Sequence, residues 1–473
     1  MPDSIPTGIE GLDRVLCGGV LRGATVLVEG TPGAGKTTLG MQFIYAGIIK
    51  YDQPGLIVTF EEFPQQMYRD AEQLGWDLRK LSDEGKLRII STSPAVFQQE
   101  TAGPDGMISQ IAREAAVERV MIDSVSHFQR LTRDPAEQRE IFNGLVNMLK
   151  RGGYTSFFTK EVRLREEQEV SFEEYASDAA IRLTYESTGT NRRVRMLEVI
   201  KARGQNFLPG KHFFEIGKGG ITVYPSFVPE EYEEKISAPE IERVPSGVEG
   251  LDEMLGGGLI RGFSTLIIGP AGTGKTAIGL QFLAEGIARG EPCVLVTLKD
   301  PPAKVAALAS SIGINIFADP KLLTVIHEPF VHMNPYAILS RAIRAVDDTG
   351  ARRLFVDGLA EVEDAVVDQQ GLEAFIYQAL QEVHRRGVTA MFSGSSHGAQ
   401  GAAELAELGP ASLADTVISL RYVEARGEIR MGLSILKTKG GGRINDIRPY
   451  EITSRGVRVI TRRVTVLNDR SEG

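Results

Sequence analysis

The sequence predicts an α/β protein of two tandem domains, each built on a mostly parallel sheet flanked by helices. Three observations predict it: an ungapped internal repeat, a glycine-rich loop at the same place in each copy, and the alternation of short β-branched runs with longer helical patterns. The chain has 473 residues, too many for one ordinary hydrophobic core. Its 42% hydrophobic and 24% charged residues are typical of a folded chain.

The internal repeat sets the domain organisation. The segment PTGIEGLDRVLCGGVLRGATVLVEGTPGAGKTTLGMQFIYAGI begins at Pro6 and returns from Pro245 as PSGVEGLDEMLGGGLIRGFSTLIIGPAGTGKTAIGLQFLAEGI. The matching lysines, Lys36 and Lys275, lie 239 residues apart, which is the period of a whole domain rather than of a solenoid. We place domain 1 at residues 1–228 and domain 2 at 242–473, with an acidic, proline-containing linker at 229–241.

Short apolar runs within the first copy predict individual strands. The runs Thr25 to Glu29, Leu56 to Phe60 and Val120 to Asp123 are rich in β-branched residues, and Thr38 to Lys50 has a helical pattern. Because strands and helices alternate, we expect a parallel sheet with helices on both of its faces.

Charge and cysteine content exclude several classes of protein. The net charge is −9 and no long Lys/Arg tract occurs, so no nucleic-acid partner is expected. Cys17 and Cys293 are far apart, which indicates neither a zinc ribbon nor a disulfide framework. The N-terminal residues do not resemble a secretion signal, and no apolar stretch reaches the roughly 18 residues of a membrane helix. We expect a cytoplasmic protein without membrane association.

Both copies carry a phosphate-binding loop of the form G-x-x-x-x-G-K-[ST], at Gly30–Thr37 and Gly269–Thr276. Backbone N–H groups and the following helix N-terminus favour a bound phosphate, and the lysines would reach the β- and γ-phosphates of ATP. Hydroxyls of Thr37 and Thr276 are the predicted ligands of Mg²⁺. The predicted nucleotide contacts are Thr31, Gly33, Ala34, Gly35, Lys36, Thr37 and Thr38 in the first loop, and Gly272, Thr273, Gly274, Lys275, Thr276 and Ala277 in the second.

Acidic residues that end apolar strands complete the predicted site. Asp123 and Asp357 each follow such a run and are the expected magnesium-linked carboxylates. Hydrolysis also needs a carboxylate that orients the attacking water, and the pair Glu61 and Glu62 is predicted to supply it in domain 1. His127 follows Asp123 by four residues and is interpreted as a histidine near a helix start without a catalytic function.

The second domain departs from this pattern. Aligning VTFEE with VTLKD places Lys299 at the first acidic position and Asp300 at the second. A protonated lysine cannot act as a base, and aspartate is one methylene shorter than glutamate. We therefore expect domain 2 to bind ATP and hydrolyse it slowly, with Asp300 as its remaining catalytic candidate.

Several strings of this chain are informative together: the two phosphate loops, IVTFEE with the LGWDL run, Met121 to Val125, Leu197 to Gly204, and Leu413 to Ile418 followed by Tyr422 to Glu428. Together they resemble the KaiC family of circadian-clock ATPases, within the RecA/DnaB superfamily. The resemblance covers nearly the whole chain. It implies two tandem RecA-like P-loop domains and a homohexameric double ring with ATP between neighbouring subunits.

The resemblance also implies functions for particular residues. Glu61 and Glu62 would be the catalytic acids. Lys201 and Arg203 match the basic pair that reaches the neighbour's nucleotide, where cations stabilise transition-state charge. Their domain 2 counterparts are Lys437 and Lys439, and Lys439 replaces an arginine, which removes the bidentate fork.

The family's second domain autophosphorylates on adjacent Ser and Thr, and the matching positions here are Ala411 and Ser412. Ser412 is therefore the candidate phosphoacceptor of Ser/Thr autokinase activity, weakened by Lys299 and Asp300. The long C-terminal tail that binds a KaiA-type partner is largely absent, so this interaction is not expected. A KaiB-like protein is a candidate partner.

Three functions remain open from the sequence. The first is an ATP-driven hexamer whose domain 1 hydrolyses ATP and whose domain 2 is mainly a nucleotide-bound scaffold. The second is a signalling scaffold gated by bound nucleotide, without essential catalysis. The third is a RadA-like DNA-dependent ATPase, which the negative charge and the lack of a basic stripe with interleaved aromatics disfavour.

Overall fold

The computed structural model describes residues 3–101, 106–162, 171–187, 193–226, 241–317, 319–329, 334–363, 369–395, 409–425, 428–440, 444 and 446–460. The chain divides into two compact units, Met1–Val228 and Pro229–Gly473, called here the first and second domains. The predicted linker at 229–241, except for Ile241, and the C-terminal residues 461–473 lie outside the described residues. In the described part of the chain, no helix has the length and apolar character needed to cross a bilayer.

The first domain alternates strands and helices along the chain. Its strands are β1 (Ser4–Ile5), β2 (Val20–Leu21), β3 (Thr25–Gly30), β4 (Gly55–Thr59), β5 (Leu87–Ser91), β6 (Arg119–Asp123), β7 (Thr155–Glu161), β8 (Ala179–Ser187), β9 (Arg193–Ala202), β10 (Lys211–Gly217) and β11 (Gly220–Tyr224). Its helices are α1 (Leu12–Val15), α2 (Lys36–Tyr51), α3 (Pro64–Gln73), α4 (Leu78–Asp83), α5 (Pro94–Thr101), α6 (Met107–Glu114), α7 (Pro135–Arg151) and α8 (Phe172–Ala176), with a 3-10 helix at Val125–Arg130.

Nine described strands of this domain form one sheet in the order β11-β10-β9-β8-β3-β7-β6-β4-β5. The six strands from β8 to β5 are parallel, and β9, β10 and β11 extend the sheet with antiparallel pairs. The mostly parallel sheet confirms the predicted fold class. The predicted strands and helix match β3, β4, β6 and α2, with ends that differ by one or two residues.

Burial explains why these segments pair as they do. Every residue of β3 and β4 is buried, as expected for central strands of a sheet covered on both faces. One face packs against α2 through residues such as Phe43, whose ring stacks on Phe157 at 4.0 Å between centroids. The other face packs against α7 through Phe142 and Phe158. The loops at the carboxyl ends of the parallel strands are thereby held at one edge of the sheet.

The second domain repeats this plan. Its strands are β12 (Arg243–Val244), β13 (Leu259–Ile260), β14 (Ser264–Gly269), β15 (Cys293–Thr297), β16 (Leu323–His327), β17 (Arg353–Asp357), β18 (Thr389–Ser395), β19 (Thr416–Ala425), β20 (Glu428–Thr438), β21 (Arg448–Thr453) and β22 (Gly456–Val459). Its helices are α9 (Leu251–Met254), α10 (Lys275–Ala288), α11 (Pro302–Ser311), α12 (Pro335–Thr349), α13 (Leu359–Glu363), α14 (Gln369–Arg385) and α15 (Gly409–Leu413). The main sheet of its described residues has the order β16-β15-β17-β18-β14-β19-β20-β21-β22.

Candidate nucleotide site

The first phosphate loop joins the central strand β3 to the N-terminus of α2. Lys36 is the first residue of α2, and its Nζ donates to the backbone oxygen of Thr31 at 3.1 Å. Burial lowers the pKa of Lys36, while the carboxylates of Glu161 and Asp123 oppose this effect. The ammonium group is thus held against the phosphate loop at the helix N-terminus, an arrangement that suits a phosphate anion.

Glycine is required where the loop turns into the helix. Gly35 has φ of 105°, in the left-handed region, and a Cβ there would lie 2.8 Å from Cδ1 of Ile216. At Gly33, with φ of 78°, a Cβ would have no atom within 4 Å. The loop is therefore closed against the domain at Gly35 and open at Gly33, which leaves room for a phosphate group. The remaining predicted contacts of this loop lie around it: Ala34 is buried, and Thr31, Thr37 and Thr38 are half-buried.

Thr37 and Asp123 form the oxygen-rich part of the site. Oγ1 of Thr37 donates to Oδ2 of Asp123 at 2.8 Å, and the hydroxyl of Thr159 donates to the other carboxylate oxygen. Since Mg²⁺ prefers hydroxyl and carboxylate oxygens together with phosphates and water, this pair fits the ion that the loop motif implies.

The predicted catalytic acids follow β4 at the same edge of the sheet. Glu61 is exposed, and its Oε1 lies 3.2 Å from Nε2 of the buried His127 and 3.4 Å from Nη2 of Arg130. Glu62 is half-buried, and burial raises its pKa, with further contributions from Asp123, Asp70 and Glu61. A raised pKa moves a carboxylate towards the range in which it exchanges protons near neutral pH.

The second loop has the same construction. Nζ of Lys275 donates to the backbone oxygens of Gly269 at 2.6 Å and Pro270 at 2.9 Å. Oγ1 of Thr276 donates to Oδ2 of Asp357 at 2.8 Å, and Oγ of Ser393 donates to Oδ1 at 2.5 Å. Burial raises the pKa of Asp357 despite these two hydrogen bonds. The oxygen-rich pair that fits Mg²⁺ therefore occurs in both domains.

Two tyrosines support the second loop. The buried hydroxyl of Tyr450 donates to the backbone oxygen of Thr273 at 2.5 Å, and burial raises its pKa. The hydroxyl of Tyr422 donates to the backbone oxygen of Ala271 at 3.2 Å. Among the other predicted contacts here, Thr273 and Ala277 are buried, Gly274 is half-buried and Gly272 is exposed.

The altered acids of the second domain lie where the alignment placed them, after β15. Lys299 is exposed, and Asp300 is half-buried with Oδ1 at 2.6 Å from Nζ of Lys304. The carboxylate of Asp300 is thus held in an ion pair with a residue four positions along the chain. An ion pair of this kind leaves the carboxylate less available as a base than Glu62 is in the first domain.

Each basic pair lies at the end of a strand. Lys201 belongs to β9 and Arg203 follows it, while Lys437 belongs to β20 and Lys439 follows it. Nζ of Lys201 and Nη2 of Arg203 both donate to the backbone oxygen of Tyr175, at 3.1 and 2.8 Å. In the second domain Nζ of Lys437 donates to the backbone oxygen of Ser412 at 2.6 Å. Lys439 instead forms an ion pair with Asp415, Nζ to Oδ1 2.8 Å. The cations are clustered in each domain, but the second cluster is partly neutralised.

The structure adds contacts that sequence reasoning missed. His127 contacts Glu61, and Thr159 and Ser393 each bond the strand-end aspartate of their domain. Only the repeat offered a signal for the last two, since Thr159 and Ser393 occupy corresponding positions of β7 and β18.

Comparison with known proteins assigns the family. The KaiC ATPase family model matches residues 5–227 and 244–464. The circadian clock oscillator protein KaiC of Picosynechococcus sp. is 34% identical over 96% of this chain and 89% of its own length. The protein of that name from Parathermosynechococcus lividus is 33% identical over 96% of this chain and 84% of its own. The one from Synechococcus elongatus is 32% identical over 95% and 88%. With two family matches and relatives above 30% identity over nearly its full length, this chain belongs to the KaiC family of circadian-clock ATPases.

Proposed function

We propose that this protein is a magnesium-dependent ATP hydrolase whose first domain is the main ATPase and whose second domain holds ATP mainly as a scaffold. The observation that carries the proposal is the convergence, at one sheet edge of the first domain, of Lys36, the Thr37–Asp123 pair and the acids Glu61 and Glu62. The second domain keeps the loop and the Thr–Asp pair and changes the acids.

The residues that would hold Mg²⁺ are Thr37 with Asp123 and Thr276 with Asp357. Magnesium would supply positive charge to the triphosphate oxygens. Lys36 and Lys275 would bind the β- and γ-phosphates once they exchange the loop carbonyls for phosphate oxygens. Little covalent chemistry is then left to the protein, and the rate depends on positioning and charge.

Glu62 is the proposed proton acceptor of the first domain. Its raised pKa suits a group that accepts a proton from the attacking water and then releases it. Glu61, held by His127 and Arg130, orients that water. In the second domain the ammonium of Lys299 cannot accept a proton, and Asp300 is engaged with Lys304. Slow hydrolysis is the expected consequence.

Assembly as a homohexameric double ring, with ATP between subunits, is the proposed setting for the basic pairs. Lys201 and Arg203 would leave the carbonyl oxygen of Tyr175 for a neighbour's γ-phosphate, and Tyr175 itself is 73% exposed. Lys437 and Lys439 would do the same in the second ring. The surface of the ring would receive a KaiB-like partner.

Autophosphorylation at Ser412 is a further part of the proposal. Ser412 is exposed at the end of α15, whereas the adjacent position holds the buried Ala411. A single acceptor hydroxyl is therefore presented there.

The test measures ATP hydrolysis and intact mass in the same samples of wild type, Lys36→Ala and Lys275→Ala, each checked for hexamer formation. Loss of hydrolysis in an intact Lys36→Ala hexamer, with Lys275→Ala retaining it, would support the first domain as the main ATPase. Glu61→Gln combined with Glu62→Gln should have the effect of Lys36→Ala while nucleotide stays bound. Hydrolysis that depends on Lys275 instead, or normal cellular function in a hydrolysis-deficient variant, would contradict the proposal.

An added mass of about 80 Da that disappears in Ser412→Ala would identify the acceptor of autophosphorylation.

A further inference from the structure

The ends of β4 and β6 in the first domain correspond in register to the ends of β15 and β17 in the second. Thr59 of β4 pairs in register with Asp123 of β6, and Thr297 of β15 pairs with Asp357 of β17. The positions two residues after each threonine and four residues after each aspartate are therefore equivalent.

The acidic and basic residue types at these equivalent positions are exchanged. In the first domain the acid Glu61 follows the first strand and the basic ring of His127 follows the second, with 3.2 Å between them. In the second domain the cation Lys299 follows the first strand and the acid Glu361 follows the second. One acid and one basic group are thus present at both sites, on opposite elements.

The backbone places Glu361 at the strand ends. A Cβ built on Gly358 would lie 2.8 Å from Oε2 of Glu361 and 3.0 Å from Cβ of Leu298. Leu298 is the residue just before Lys299, and its N–H donates to the backbone oxygen of Asp357 at 3.1 Å. The carboxylate of Glu361 therefore folds over Gly358, beside the segment that carries Lys299.

Glu361 also acts on the phosphate-loop lysine. Burial lowers the pKa of Lys275, and the carboxylate of Asp357 raises it. The ammonium of Lys299 lowers this pKa further, whereas the carboxylate of Glu361 raises it. Asp357 accepts two hydroxyl hydrogen bonds and Asp300 is ion-paired with Lys304. Within the described residues, Glu361 has neither an ion pair nor a hydrogen bond to its carboxylate.

We propose that Glu361 is the carboxylate that activates the attacking water in the second domain, with Lys299 opposite it as a cation for the γ-phosphate. The inference rests on the proposed function, since it needs ATP at the second loop. A water oxygen bonds to the γ-phosphorus, its proton passes to Glu361, and the bond to the bridging oxygen of ADP breaks. ADP and inorganic phosphate are released, and Glu361 returns the proton to solvent.

The experiment uses the full-length protein with Glu61→Gln and Glu62→Gln, which leaves both phosphate loops intact. Adding Lys275→Ala to this background gives the baseline, and turnover above the baseline belongs to the second domain. Glu361→Gln should lower that turnover at least about a hundredfold, the low end for loss of a general base. Filter binding of radiolabelled ATP should be unchanged. Glu451→Gln is the matched control and should leave turnover unaltered, because Glu451 pairs with Arg458 on the surface.

Two further variants sharpen the result. Glu361→Asp should retain more turnover than Glu361→Gln because it keeps a carboxylate. Gly358→Ala should lower turnover, since the new Cβ would displace the Glu361 carboxylate. Unchanged turnover in Glu361→Gln, or a larger loss in Asp300→Asn, would overturn the inference. Turnover no higher than the baseline despite bound ATP would also overturn it. Failure of the proposed function has different signatures: no ATP bound at the second loop, or high turnover that persists in the Lys275→Ala baseline.

Discussion

Nε2 of His127 lies 3.2 Å from Oε1 of Glu61, and this contact joins the 3-10 helix after β6 to the end of β4. His127 is only 7% exposed, and its ring packs beside Phe60 at 6.1 Å between centroids. A buried and laterally packed ring fixes the direction of the nitrogen that meets the acid. Glu61 is an exposed side chain with two such contacts, to His127 and Arg130, and the buried ring of His127 is the more firmly packed of the two, so we expect it to set where the carboxylate points.

His127→Ala should therefore lower ATP turnover by between about tenfold and a hundredfold, the range expected when a catalytic group loses its orientation. ATP affinity should change little, because the ring nitrogen of His127 meets Glu61, which is predicted to act on the attacking water. Steady-state kinetics would separate the fall in kcat from KM. His127→Gln should recover part of the loss, since its amide can donate to Glu61. The same change at the exposed His384 should have no effect, and equal activity of His127→Ala and wild type would contradict the assignment.

The phosphate loops could be predicted from the sequence, whereas the contact between His127 and Glu61 could not. The phosphate loops, the strand-end aspartates and the central strands are local patterns, so the sequence places them within two residues. The contact of His127 with Glu61 depends on the register of β4 with β6, which no local pattern specifies. For the same reason sequence reasoning considered Asp300 and overlooked Glu361, although both are acidic residues near strand ends.

Arg119 is a second feature that only the structure reveals. Its side chain is fully buried beneath α2 and donates to Oε1 of Gln53 and to the backbone oxygens of Thr7, Phe43 and Pro6, at 2.7 to 3.2 Å. Burial lowers its pKa to about 10, so it stays charged at neutral pH. Arg119→Met would remove these hydrogen bonds and should reduce the free energy of unfolding by about 3 kcal/mol. Calorimetry of the first-domain transition would measure it. The exposed Arg88→Met is the control, and equal loss in both variants would argue against this account.

Asp415 links the start of β14 to the basic pair of the second domain. Burial alone would raise its pKa, but hydrogen bonds from Lys439 and from the N–H and hydroxyl of Ser264 outweigh burial and lower it. The stabilisation is therefore present above the unfolded pKa near 3.9 and is lost as the pH falls through the lower folded pKa. Asp415→Asn should cost about 2 kcal/mol at pH 7 and less at pH 3. Thermal unfolding at the two pH values would show it. Exposed Asp83→Asn should cost nothing at either, and a cost for Asp415→Asn that grows at pH 3 would contradict the sign.

Tyr450 should influence nucleotide binding through the second loop. Tyr450→Phe removes the buried donor to the backbone oxygen of Thr273 and leaves that oxygen unpaired. We expect weaker ATP binding at the second loop by about tenfold, equivalent to one lost buried hydrogen bond. Titration with a fluorescent ATP analogue in a Lys36→Ala background would measure it. Tyr422→Phe, whose hydrogen bond is longer and exposed, should have a smaller effect. A larger loss of ATP affinity in Tyr422→Phe than in Tyr450→Phe would contradict this expectation.

The two domains also use different chemistry beneath their loops. Glu29 precedes Gly30 in β3, is 2% exposed, and accepts from Arg182 of β8, which also approaches Glu174 at 3.6 Å. Lys160 and Glu173 form a neighbouring buried pair at 2.7 Å. Register places Ile268 opposite Ser419 at the positions of Glu29 and Arg182 in the second domain. The duplicated fold thus accommodates either an ion pair or an uncharged isoleucine–serine pair at this place.

This difference predicts strong coupling between two substitutions. Arg182→Ser should destabilise the first domain by about 3 to 5 kcal/mol, because it leaves the buried carboxylate of Glu29 without its cation. Glu29→Ile removes the charge that needs a partner, so the double variant should recover much of that loss. A double-mutant cycle on the thermal transition would give the coupling energy, expected above about 1 kcal/mol. Additive effects would mean that Arg182 acts chiefly on Glu174, whose pKa burial raises and Arg182 lowers. Arg182→Ser with Glu174→Gln would then show the recovery instead.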